Sequence, residues 1–133
     1  LCFFLFFVLK IMNRTFVVLG AILAGVSVAA GAFGAHGLRG VLQPDMLANF
    51  ETAARYQMYH ALAILIVGAI ADRLPARWVN WIGWLFFAGI LLFSGSLYLM
   101  AFTGVRALGA ITPLGGVAFI AGWALLAVAA LRK

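Results

Sequence analysis

GAFGAHGLRGVLQPDMLANFETAARYQMYH, residues 31–60, carries nearly all the polar character of an otherwise apolar chain. Both histidines (His36 and His60), two of the three acids (Asp45 and Glu51), and Arg39 and Arg55 fall inside it. On either side the sequence loses its charge for stretches long enough to sit in lipid. This alternation decides the fold class, because a polar turn between two long apolar runs reads as a surface connection between membrane-spanning helices.

Composition points the same way. A single domain of 133 residues that is 67% hydrophobic and only 9% charged cannot hide its apolar surface from water. Its mean hydropathy is +1.17, so the lipid bilayer is its solvent and first partner. The formal net charge of +6 comes from nine Lys/Arg against three acids. These cations stand singly or in pairs between apolar runs. They read as topology signals facing anionic headgroups, not as a phosphate-binding stripe, and no nucleic acid partner is expected. A lone cysteine, Cys2, excludes an intrachain disulfide and any cysteine-based metal cluster.

Four windows follow in order. Residues 1–11, before and beside the first methionine at Met12, form a short apolar extension of either native or upstream translated origin, too short to cross a bilayer alone. Residues 12–133 form one transmembrane domain. The window 16–35 follows Lys10 and Arg14 and has the length of a spanning helix. Ala30-Gly31-Ala32 also fits a signal-peptide cleavage site, but Ala21, Gly25 and Ala29 repeat every fourth residue, a smooth face that a discarded peptide would not need. Pro44 and Asp45 read as a helix start. Leu47, Phe50, Ala54 and Met58, with Glu51 and Arg55 four apart, describe a short amphipathic segment at the membrane surface, running into a second span at 56–71.

Trp78, Trp81 and Trp84 open a third window, 78–105, as an interfacial aromatic belt. The fourth, 107–131, begins with a loop-like TPLGG at 112–116 and ends on Arg132-Lys133. The expected architecture is therefore an all-α membrane protein with four transmembrane helices in an up-down bundle. Gly25, Gly31, Gly34, Gly95 and Gly122 are the expected helix-packing positions. Lys/Arg distribution favours both termini in the cytoplasm, the membrane being a plasma or bacterial inner membrane.

Candidate chemistry gathers around residues 31–60. His36, Arg39, Glu51, Arg55, Tyr56, Gln57, Tyr59 and His60 are expected to form a polar cluster at one membrane face. Two imidazoles with a carboxylate could ligate haem or a divalent metal, yet neither spacing nor neighbours match a metal signature. Interhelical hydrogen bonding is the more economical role for each histidine, and Glu51 is the expected ion-pair partner of Arg55. No nucleophile elbow, phosphate loop or catalytic carboxylate pair is present, so no catalytic, metal or cofactor-binding residue is assigned and no cofactor is expected.

GAFGAHGL at 31–38, YQMYHAL at 56–62, LLFSGSLYL at 91–99, TPLGG at 112–116 and Gly122-Trp123 together resemble the YgdD-like family of small inner-membrane proteins, a domain-of-unknown-function group with animal relatives. The resemblance covers Met12 to the carboxyl end. It implies four membrane helices and membrane localisation, and it brings no reaction or catalytic residue. The function expected is a non-enzymatic structural or accessory subunit, assembling with itself or within a larger membrane complex. A proton or small-solute conduit, and a haem, quinone or metal-binding redox component, are the alternatives.

Overall fold

The computed structural model describes residues 12–132, and among them every regular element is helical. The apolar extension at 1–11 lies outside the described residues. Helix α1 (Arg14–His36) begins where the Asn13 side-chain oxygen accepts the Phe16 amide at 3.2 Å, satisfying one N–H that a helix start leaves open. It ends where the Gly37 and Leu38 amides both return to the Phe33 carbonyl. Gly40, at φ 78°, supplies the left-handed corner of the turn.

Pro44 and Asp45 then open α2 (Pro44–Ala69), as the proline and the first-turn carboxylate predict. A 3-10 turn (Ala71–Arg73) leads to α3 (Ala76–Thr103), which contains a π-helical turn at Ile90–Ser94 where the Gly95 amide reaches back to the Ile90 carbonyl. Gly104, at φ 71°, stops α3; a second 3-10 turn (Arg106–Ala110) precedes α4 (Thr112–Leu131).

Successive helices run in opposite directions. The Asn13 amide donates to the Gly68 carbonyl at 2.9 Å, joining the start of α1 to the end of α2. Arg132 lies 5.1 Å over the Trp78 ring, joining the end of α4 to the start of α3. At the opposite end Asp45 meets Arg106 at 2.6 Å. Each helix packs on its chain neighbour, and Phe119 and Trp123 of α4 also reach His60 of α2.

Three helical segments, Arg14–His36, Ala76–Thr103 and Arg106–Leu131, are long and apolar enough to cross a membrane. Helix α2 falls short of that measure, since Asp45 and Glu51 stand in its first turns and even its more apolar half carries Arg55, Gln57 and His60. Its position explains the difference: Met46, Phe50, Ala53, Ala54, Ile64 and Val67 are buried between α1 and α3, so less of it needs a lipid-compatible surface.

The amphipathic stretch at 46–58 runs unbroken into the second half of α2, and burial of Met46 and Phe50 against the neighbouring helices holds it there. One local expectation is corrected. TPLGG is not a loop, because Pro113 sits in the first turn of α4, where its missing N–H costs nothing.

Phenylalanine rings lodged against glycines set how closely the helices approach. Phe50 packs on Gly34, Phe16 on Gly83, Phe86 on Gly122 and Phe119 on Gly89, while Gly115 lies directly against the Phe93 backbone. Backbones themselves meet at Gly20, where an added Cβ would stand 2.7 Å from the Ala61 carbonyl, and at Gly68, where it would stand 2.8 Å from the Val17 amide. Of the five glycines expected at contacts, Gly34 and Gly122 are so placed. Gly25, Gly31 and Gly95 are not: an added Cβ at each meets nothing within 4 Å. Four-residue spacing identifies a smooth stripe, but which stripe turns inward depends on helix rotation.

Replacement of Gly20 or Gly115 by alanine should therefore destabilise the bundle by about 1–3 kcal/mol, because the obstructing atoms are backbone and cannot swing aside. Gly25→Ala should be neutral within about 0.5 kcal/mol. Unfolding titrations in mixed micelles distinguish the two groups.

Candidate functional site

Along α2 the polar residues are distributed by the helical period of about 100° per residue, and that period separates what the sequence places together. Gln57 faces the core at 4% exposure. Its amide nitrogen donates to the Leu23 carbonyl of α1 at 2.9 Å, and its amide oxygen accepts the Tyr98 hydroxyl of α3 at 3.0 Å. One side chain thus ties three helices.

Two hydroxyls strengthen the same seams. Ser27 donates to the Ala54 carbonyl at 2.6 Å, and Ser94, in the π-helical turn, donates to the Ala53 carbonyl at 2.8 Å. Between α3 and the start of α4, the Ser96 and Thr112 hydroxyls are 2.7 Å apart. Every buried side-chain nitrogen and oxygen among the described residues has a partner.

His60 is buried in an aromatic enclosure. Its Nδ1 lies 2.8 Å from the Tyr56 carbonyl and its Nε2 lies 3.2 Å from the Trp123 indole nitrogen. The carbonyl can only accept and the indole N–H can only donate, so the ring is the neutral tautomer with its proton on Nδ1. Phe119 stacks on it with centroids 3.4 Å apart and planes 6° from parallel, and Phe86 closes another side at 5.7 Å. With both nitrogens engaged, the imidazole has no free lone pair for a metal.

Beside this ring, a groove of about 520 Å³ opens between α2 and α4, lined by Tyr56, Tyr59, His60, Phe93, Phe119 and Trp123 together with Gly116 and Ile120. Tyr56 and Tyr59 contact each other edge to face at 5.7 Å, and Tyr56 lies 4.7 Å from Phe93.

Glu51 and Arg55 face a different groove, between α1 and α2, together with Ser27, Gly31, Ala54 and Met58. The expected Glu51–Arg55 ion pair is absent; the only salt bridge among the described residues is Asp45–Arg106. That pair is solvent-exposed, and the Arg106 guanidinium holds the Asp45 carboxyl below its ordinary value. Its attraction is complete above the ordinary aspartate range and fades as pH falls through the lowered value.

His36, the last residue of α1, and Arg39, in the turn that follows, are exposed. Gly34 and Phe50 share a level, and His60 lies ten residues beyond Phe50, about 15 Å along the helix. The expected single polar cap is therefore four separate places: the exposed turn, the Glu51/Arg55 groove, the Gln57 tie and the aromatic groove around His60. The two histidines cannot share a ligand, and no group of three or more His, Cys, Asp or Glu suited to a metal occurs among the described residues.

Phe119, Trp123, Tyr98 and Ser27 escape sequence reasoning because each contributes from another helix. Glycine-tryptophan at 122–123 is the one visible signal, since an indole far from the aromatic belt needs an acceptor. Gln57→Leu should cost about 1–2 kcal/mol by leaving the Tyr98 hydroxyl unpaired, and Tyr98→Phe about 0.6 kcal/mol. A double-mutant cycle in micelles checks that the two effects are coupled.

Residues 30–116 match the protein family described as "Protein of unknown function (DUF423)". A UPF0382 membrane protein of Staphylococcus aureus strain USA300 is 51% identical over 75 residues, covering 56% of this chain and 61% of the relative. One from the bovine strain RF122 / ET3-1 is 50% identical over the same length. The matched segment thus spans less than two thirds of the length of these relatives. No solved structure matches the chain. An uncharacterised membrane family is what GAFGAHGL and YQMYHAL led one to expect.

Proposed function

The chain belongs to the DUF423 family of membrane proteins, and from that starting point we propose that it is a non-enzymatic four-span protein that works by docking laterally against another membrane helix. In this reading α2 crosses the bilayer with the other three helices, Asp45 lying at one face while Glu51 and Arg55 reach into its depth. Arg14, Arg73, Arg77 and Arg132, with Lys10 and Lys133 in the sequence, belong to the end that faces the cytoplasm of a bacterial inner membrane.

The groove between α1 and α2 is the observation that carries the reading. It sets Glu51 and Arg55, neither with an ion-pair partner among the described residues, beside Gly31, where no atom occupies the space of an added Cβ. Charges within hydrocarbon are costly unless paired, and a glycine-floored groove admits a helix backbone closely. A second copy related by a two-fold axis would set Glu51 of each chain against Arg55 of the other, and a larger complex could supply the same two charges.

In a Cys2→Ser background, Gly31→Cys should form an intermolecular disulfide in native membranes, and Glu51→Arg or Arg55→Glu alone should reduce it about tenfold. The double exchange should restore it. Equal crosslinking in all variants would reject a charge-paired interface.

A further inference from the structure

The groove between α2 and α4 has no part in that docking surface, and its polar groups pose a separate problem. Tyr56 and Tyr59 line it, are 38% and 52% exposed, and neither hydroxyl has a hydrogen-bond partner among the described residues. They lie roughly 18 and 23 Å from the start of α2, a helix about 39 Å long, which is close to the bilayer midplane if α2 spans.

Membrane tyrosines ordinarily sit at the interface, where water and headgroups take the phenolic proton. At mid-depth neither is within reach, and an unpaired hydroxyl in hydrocarbon is unfavourable. Phospholipid carbonyls stay near the headgroups and an acyl chain offers no acceptor. An acceptor at this depth has to come from a molecule that dissolves in the hydrocarbon itself.

We infer that the groove binds a prenylated quinone or a similar lipid-soluble planar dicarbonyl ring, with Tyr56 and Tyr59 donating to its oxygens. The inference rests on α2 crossing the bilayer. Phe93, Phe119 and Trp123 provide apolar faces for the ring, and about 520 Å³ suits a ring with the first units of its chain. His60 stiffens the wall through its bonds to the Tyr56 carbonyl and Trp123, and with both nitrogens engaged it is a positioning residue. The site holds the ring; no group in it is assigned to electron or proton transfer.

Gly116 makes the site testable without disturbing the fold. A Cβ added there meets nothing nearer than Phe93 Cδ2 at 4.0 Å, so Gly116→Leu fills the groove instead of forcing helices apart. The full chain in phosphatidylcholine nanodiscs is titrated with a short-chain prenylated benzoquinone, reading tryptophan quenching, with a prenol of equal chain length as competitor. Saturable quenching is expected, its Trp123 component lost in Trp123→Phe. Tyr56→Phe and Tyr59→Phe should each weaken binding about fivefold, and Gly116→Leu should abolish it with an unchanged melting midpoint. Quenching linear in quinone, equal displacement by the prenol, or full binding by Gly116→Leu would overturn the site. Quenching of Trp123 by lipids brominated at mid-chain reports depth independently. A shallow indole would refute the four-span reading, whereas a deep indole without quinone binding would refute this site alone.

Discussion

Close approach between helix backbones at glycine is the constraint on which everything else in the bundle depends. Lipid tails are as apolar as leucine, so burial of hydrophobic surface supplies little drive for one helix to leave lipid for another. What remains is dense van der Waals contact and interhelical hydrogen bonding. Gly20 and Gly68 let the α1 and α2 backbones touch, and Gly83, Gly89 and Gly122 each receive a phenylalanine ring from a neighbouring helix. Those contacts set the rotation of each helix about its own axis.

Once rotation is set, the polar side chains become short, local ties. Gln57 can bridge Leu23 and Tyr98 only because α1 and α3 flank α2 at glycine-permitted distance. Ser27 of α1 and Ser94 of α3 donate to carbonyls of consecutive residues of α2, Ala54 and Ala53. The π-helical turn in α3 belongs to the same scheme, since Ser94 is its last residue. These bonds are individually modest in a membrane, and their value lies in specifying one packing among several of similar dispersion energy.

The same rotation divides the charged and aromatic residues of α2 among different faces. Glu51 and Arg55 go to the α1 side, while Tyr56, Tyr59 and His60 go to the α4 side, where Phe119 and Trp123 complete an enclosure. A segment that looks like one site in sequence therefore serves two lateral surfaces and a core tie. Asp45, expected as a helix-start carboxylate, finds its cation in Arg106 because the antiparallel order brings the α3–α4 turn beside the start of α2.

Sequence by itself determined the solvent, the helical class and the start of α2, because apolar run length acts through lipid partition and Pro44 and Asp45 act locally. It also determined the family, through short blocks such as GAFGAHGL. Tertiary structure alone decided which glycines meet a neighbour, why Gly25 and Gly95 do not, and which ring closes over His60. Those depend on how each helix is turned about its axis, a quantity set by the summed contacts of several helices. In a chain apolar on every side, the amphipathic pattern that would announce that turn from sequence is nearly absent.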